Sequence, residues 1–314
     1  MFSLVKESLI TLATIVLVVS NTPSQSFRPG TDLPAKPIEI KLDHGPLGKA
    51  PTIVVQIGQK SYPFLFDSGM GVTMITPDIA LEIGCTPFGQ LAAVNAGGER
   101  INLQRCAEST LKIGSFTKSS ETAVYNLMTL LSDRAPQIGG AVSLHTFEGQ
   151  VLTMDLAKDR LWLESEASFK QRIAGMKEIE SRLARPGSGN VLDLFVAANS
   201  PKGKMWLLFD SGNFGWTHIS PAGLEMLGTN LDAPNKAKTI KPIKIDLVGL
   251  GSVEIPMRER NMIYDGQLNY DTIARMVVTI DLRTGRMWGL MNPTAQAGSN
   301  ALLHAETVFT HTVN

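Results

Sequence analysis

The sequence predicts an all-β protein built from two homologous lobes, with short helices and a helical linker between the lobes. Three observations carry that expectation. An apolar run ends in Asp-Ser-Gly twice, at Asp67-Ser68-Gly69 and Asp210-Ser211-Gly212. A second stretch also repeats without a gap: "GAVSLHTFEGQVLTMDLAKDRLW" from Gly140 and "GQLNYDTIARMVVTIDLRTGRMW" from Gly266. The apolar segments between turn signals are mostly short, as strands are, with few long enough for a helix.

The repeat sets the domain organisation. After the first Asp-Ser-Gly come Thr73, Ile75, Pro77 and Gly84; after the second come Thr217, Ile219, Pro221 and Gly228, displaced by a single inserted residue. Asp155 follows Gly140, and Asp281 follows Gly266, at the same spacing of 15, and each copy then places an Arg and a Trp at matching positions. Such register over two stretches marks an internal duplication of a unit of about 100 residues. The expected organisation is an N-terminal segment over 1–20, a linker or pro-segment over 21–48, lobes over 49–165 and 190–291, a linker over 166–189 and a tail over 292–314.

Each element follows from local chemistry. "TIVVQIG" and "PFLFD" are short apolar strands around a Gly-Gln-Lys turn. "TPDIALEIG" reads as one short helix, with Thr76 to cap it, Pro77 in its first turn and Gly84 at its end. "GQVLTMDL" and "DRLWLE" form a hairpin over Ala157-Lys158. Between the lobes, Phe169, Ile173, Met176 and Leu183 fall on one helical stripe, either packed or in a solvated spacer, up to the Pro186-Gly187-Ser188-Gly189 join.

Composition narrows the function. Lys plus Arg equals Asp plus Glu at 29 each, and no basic run occurs, so no nucleic-acid partner is expected. No zinc-type Cys/His spacing, P-loop or GxGxxG is present, so no metal or cofactor is expected. Lys6 followed by the apolar stretch Leu9–Val19 reads as an export signal, or as an uncleaved anchor that would be the chain's one tie to a membrane. Either places the body outside the cytoplasm, periplasmic or secreted, and there Cys85 and Cys106 are either a disulfide or two buried thiols. A monomer is expected.

The two Asp-Ser-Gly stretches, with the later threonines and the glycine elements at Gly140 and Gly266, resemble the aspartic peptidases. Each lobe looks like a retropepsin-like unit, and the two-lobed chain is similar to pepsin in plan, over about residues 50–165 and 190–290. The resemblance implies a catalytic cleft between the lobes, with Asp67 and Asp210 as a catalytic pair and Ser68 and Ser211 bracing the lobes by reciprocal hydrogen bonds. Gly69 and Gly212 would let the backbone approach, with Thr73, Thr217, Gly140 and Gly266 in support. It further implies a flap at Ala96-Gly97-Gly98 and an extended peptide or protein substrate hydrolysed by an activated water. Two close carboxylates that share one proton suit that chemistry on physical grounds. Three positions depart from the pattern: Met70 and Asn213 follow the glycines where the family has a small residue, and Asp265 precedes Gly266 as a third carboxylate, near the pair or facing solvent. The alternative function is a non-catalytic peptide- or ligand-binding protein on the same scaffold.

Overall fold

The computed structural model describes residues 32–44, 50–130, 137–186, 191–229 and 240–292. The expected signal or anchor, most of the 21–48 segment, the join after Pro186 and the tail lie outside them. Three sheets organise the described chain. Lobe one is a seven-stranded sheet in the order Thr52–Ile57, Lys60–Phe66, Gly140–Val142, Met74–Ile75, Phe116–Val124, Arg100–Ile113, Phe88–Val94. Lobe two is another, in the order Ser181–Ala184, Asp193–Ser200, Gly203–Phe209, Gly266–Leu268, Thr217–Ile219, Gly251–Glu259, Ile240–Leu247. In each, the first strand of the duplicated unit pairs again across the sheet, so the lobe curls toward a barrel.

The third sheet joins the lobes. Its centre pairs Val151–Asp155 with Met276–Asp281 in antiparallel register, so that Thr153 faces Thr279, its own repeat equivalent. Their buried hydroxyls are 2.8 Å apart. A residue opposite its own counterpart lies on a two-fold axis, and the duplication therefore folds as a pseudo-dimer in one chain.

The glycine elements pack as the repeat requires. Gly140–Val142 runs parallel to the strand entering Asp67 and antiparallel to Met74–Ile75; Gly266–Leu268 does the same in lobe two. A Cβ on Gly140 would stand 2.1 Å from Met74 O, and one on Gly266 2.8 Å from Leu207 Cδ2. Only a glycine threads that gap. Phe64, Phe66, Phe147 and Phe209 fill the core around these strands.

Two local expectations are corrected. Thr76 sits at the N-cap of the helix Pro77–Glu82, but its side chain makes no capping bond; the equivalent Ser220 does cap, accepting from Gly223 N at 3.0 Å. The inter-lobe linker is helical only over Glu166–Ile173, closed at its start by a Ser165/Ser168 capping box. Lys177–Ile179 and Ser181–Ala184 are instead strands, pairing with Arg286–Met291 and Asp193–Ser200. Open sheet edges beside this segment outweigh its helical spacing, and Ile179 is buried there. Cys85 and Cys106 form a disulfide that ties the end of the first helix to the strand Arg100–Ile113. No helix among the described residues is long and apolar enough to cross a membrane.

Candidate active-site cleft

Asp67 and Asp210 end the strands Lys60–Phe66 and Gly203–Phe209, and the lobe junction brings them together. Each carboxylate is first fixed by its own turn. Asp67 Oδ1 accepts from Gly69 N at 2.8 Å and Met70 N at 3.0 Å, and Asp210 Oδ1 accepts from Gly212 N at 2.8 Å. The serines then lock the lobes: Ser68 N donates to Ser211 Oγ and Ser211 N donates to Ser68 Oγ, both at 2.9 Å, while Ser68 Oγ donates onward to Phe209 O at 2.8 Å. Ser68→Ala is expected to cost about 2 kcal/mol, because it strands a buried Ser211 N–H without an acceptor. Urea unfolding of the variant checks it; an unchanged midpoint would remove the serine grip from the account.

The glycines supply the closeness. A Cβ on Gly69 would stand 2.2 Å from Asp210 Cγ, and one on Gly212 2.2 Å from Asp67 Cγ. Burial raises the pKa of Asp67 well above the usual carboxylate range, and the neighbouring Asp210 charge raises it further. Asp210 is raised by burial but relieved by donors: the Gln267 amide, the Asp67 carboxyl and backbone N–H groups. Two buried carboxyls this close resist ionising together, so the pair shares one proton.

Thr73 and Thr217 sit one layer below. Thr73 Oγ1 meets Ser143 and Thr146, and Thr217 Oγ1 meets Asn269 and Thr272, so each ties the segment after the Asp turn to the one after the glycine element. They brace the site and do not touch the carboxyls. The Ala96-Gly97-Gly98 tip joins Phe88–Val94 to Arg100–Ile113; Asn95 Oδ1 accepts from Gly97 N and Glu99 N, both at 3.0 Å. The tip crosses to lobe two, where Ala96 O accepts from Ile263 N at 3.0 Å. In the matching place lobe two has "DAPNKAKTIKPIK", of which residues 232–239 lie outside the described residues.

Two departures from the expected pattern resolve. Asp265 is not at the pair: its Oδ2 accepts from Trp206 N at 2.8 Å and ties the start of the glycine element to the interior strand Gly203–Phe209. The Asn213 side chain folds into its own turn, bonding Gly215 N and Trp216 O.

Three residues at the site escaped the sequence reading. Gln267 Nε2 donates to Asp210 Oδ2. Asp193, at the start of Asp193–Ser200, has a pKa pushed up to about 6 by burial and by Asp210. Tyr264, pushed up to about 12 by burial and by Asp193 and Asp210, packs edge-to-face on Phe195 at 5.3 Å. A signal for Gln267 existed, a polar side chain opposite Ala141 in the aligned repeat. Asp193 corresponds to Ala50: Thr52 pairs with Leu65 as Phe195 pairs with Leu208, and Ala50 and Asp193 lie two residues before them.

Fold and site together define a two-lobed protein with an aspartic-protease-like architecture. The chain is similar in structure to basic 7S globulin from soybean (TM-score 0.54, 8% identity, 84% of this chain and 97% of that one). It is also similar to conglutin gamma, a basic 7S globulin from lupine seeds (TM-score 0.51, 10% identity, 84% and 97%), and to edgp (TM-score 0.50, 10% identity, 84% and 95%). No family model matches the chain, and no curated protein matches it. These findings correct the expectation of an aspartic peptidase: the proteins that share the fold include globulins, and what they share with this chain at such identity is the fold alone.

Proposed function

We propose that this chain is a binding protein that holds an extended peptide in the cleft between its lobes, beneath the flap. The observation that carries this reading is the Gln267 amide on Asp210 Oδ2. Water activation needs an ionised oxygen free to receive a proton from water. Asp210 Oδ1 already accepts from Gly212 N, and its Oδ2 accepts from Gln267. Asp210 also shares a proton with Asp67. Each oxygen of Asp210 therefore already accepts a donor, which makes it a weaker base toward water.

A peptide suits the cleft for backbone reasons. Phe88–Val94 is the last strand of the lobe-one sheet and leads into the flap, so one side of it presents unpaired backbone groups. An extended chain adds to such an edge by main-chain hydrogen bonds. The Ala96 carbonyl and Ile263 N–H, which bond each other across the cleft, are further partners for a chain that lifts the flap.

A second reading is peptide hydrolysis, favoured by the shared proton of the carboxyl pair on its serine grip. It requires Gln267 to release Asp210, after which Asp210 takes a proton from water and Asp67 donates one to the carbonyl oxygen. One experiment separates the two. Purified protein and its Asp67→Asn variant are incubated with a randomised decapeptide library, and retained and cleaved peptides are identified by mass spectrometry. Binding predicts intact peptides held by both proteins, with affinities within about threefold, since Asn keeps the size and shape of the Asp67 carboxyl. Cleavage by the parent that stops in the variant replaces the binding reading with hydrolysis. Neither retention nor cleavage by the parent ends both.

A further inference from the structure

We infer that the lobe-two wall of the cleft carries a subsite for a cationic side chain, the ammonium of lysine or the guanidinium of arginine, formed by Asp193 and the Gln267 amide oxygen beside the carboxyl pair. The inference rests on the peptide-binding reading and names the substrate class of that same cleft.

The buried acids show what is missing. Six Asp or Glu side chains are buried among the described residues: Glu148, Asp155, Glu164, Asp193, Asp210 and Asp281. Four of them have a cation of the chain itself, from Arg185, Lys158, Arg172 and Arg283 respectively for Glu148, Asp155, Glu164 and Asp281. Asp193 and Asp210 have none. Asp193 is 7% exposed, and no hydrogen-bond donor or cation among the described residues meets its carboxylate. Buried carboxylates are ordinarily paired because an isolated charge is costly to desolvate.

Gln267 gives a second, separate observation. It is also 7% exposed, its Nε2 is committed to Asp210, and its Oε1 is buried without a partner. Buried acceptors are nearly always satisfied, so an amide oxygen and a carboxylate left open on two neighbours of Asp210 ask for a donor from outside. A lysine ammonium or arginine guanidinium offers several N–H donors and the missing positive charge at once.

The surroundings fit an organic cation. Leu192 N donates to Gly71 O at 2.8 Å, which holds the start of the Asp193 strand against the lobe-one chain just beyond the Asp67 turn. A Cβ on Gly71 would stand 2.9 Å from Asp193 Oδ1, so the carboxylate lies at the lobe junction, where a substrate in the cleft passes. The ring of half-buried Tyr264, within electrostatic reach of Asp193 and Asp210, supplies an aromatic wall. No group of three or more His, Cys, Asp or Glu among the described residues is arranged for a metal ion. The fold itself does not require the charge, since the lobe-one equivalent is Ala50.

The test compares two decapeptides that differ only in a lysine or its uncharged isostere norleucine, drawn from the best-retained library sequence, on the parent protein and on Asp193→Asn. The lysine peptide is expected to bind the parent about tenfold more tightly, and Asp193→Asn is expected to bring the two peptides to within about twofold, chiefly by weakening the lysine peptide. A preference that survives in Asp193→Asn, or no preference in the parent, overturns the subsite. If the parent holds neither peptide, the peptide reading falls and titration calorimetry with agmatine, a small guanidinium amine, decides the subsite alone. Agmatine binding that Asp193→Asn abolishes supports it, and absent agmatine binding overturns it.

Discussion

Gly212→Ala is expected to destabilise the protein by about 4 kcal/mol or more and to abolish peptide retention. The added Cβ would lie 2.2 Å from both Asp67 Cγ and Asp67 Oδ2. Asp67 has no easy retreat, because Oδ1 is held by two backbone N–H groups and the strand behind it is paired with Val142. The clash is relieved only by moving the lobes apart, and that pulls Ser68 N and Ser211 N off their serine acceptors. Overpacking a tight contact costs about 1–3 kcal/mol, and each stranded buried N–H about 1–3 kcal/mol more. Gly69→Ala should behave alike, since its Cβ would meet Asp210 at the same distance. Neither glycine has a positive φ, so the demand is for space and not for backbone freedom. Gly215→Ala is the control: it lies in the following turn, and its Cβ would meet only Asn213 Oδ1 at 3.5 Å. Calorimetric melting of the three variants checks the claim. Equal losses at Gly212 and Gly215 would show that crowding at the carboxyl pair is not what matters.

Asp193→Asn is expected to stabilise the unliganded protein at pH 7 by about 3 kcal/mol and to leave it nearly unchanged at pH 4. The sign follows from the raised pKa, about 6 in the folded protein against an ordinary 3.8. In the unfolded chain Asp193 gives up its proton near 3.8, whereas in the folded chain it keeps it until about 6. Between those values the folded state binds more protons, so stability falls as pH rises through the window, and the full cost stands above it. Asparagine carries no such proton and escapes the cost. Asp67 and Asp210 titrate in both proteins, so the difference between parent and variant isolates Asp193 together with the relief it gives Asp210. Denaturant unfolding at pH 4 and pH 7 measures it; a gap equal at both values would contradict a desolvated, unpaired Asp193. A bound lysine peptide should narrow the pH 7 gap, because it supplies the charge that the folded protein lacks.

The two-lobed all-β architecture was legible in the sequence because duplication leaves a local record. The Asp-Ser-Gly pairs, Thr73 with Thr217, and Gly140 with Gly266 sit at matched spacings; the threonines and the later glycines are demanded by contacts within their own unit, the Asp-Ser-Gly pairs by contacts with each other. Pairing of Asp67 with Asp210 was implied by the resemblance, and in the structure their turns meet because equivalent residues of the two lobes face each other at the two-fold axis. The disulfide partners needed no choice, because the chain has two cysteines. Residues 177–184 were misread as helix because their apolar spacing suits both periods, and the edges they pair with come from Arg286–Met291 and Asp193–Ser200. The peptidase likeness overreached for a related reason: a motif fixes a turn and a fold, while the state of the base depends on what stands beside it.

What the sequence determined by itself is the repeated unit, its strands and the two aspartates at their ends, since these rest on residues near one another along the chain. What only the tertiary structure decided is the surroundings of those aspartates. Gln267 lies 57 residues beyond Asp210 and reaches it because Gly266–Leu268 threads beside the Asp210 strand. Asp193 takes its place at the lobe junction through a bond between Leu192 and Gly71 in the other lobe. Asp265, though next to Gly266, turns away to Trp206 N. Charge and hydrogen bonding act over a few ångströms of space, and distance along the chain does not report that space until the lobes have closed on each other.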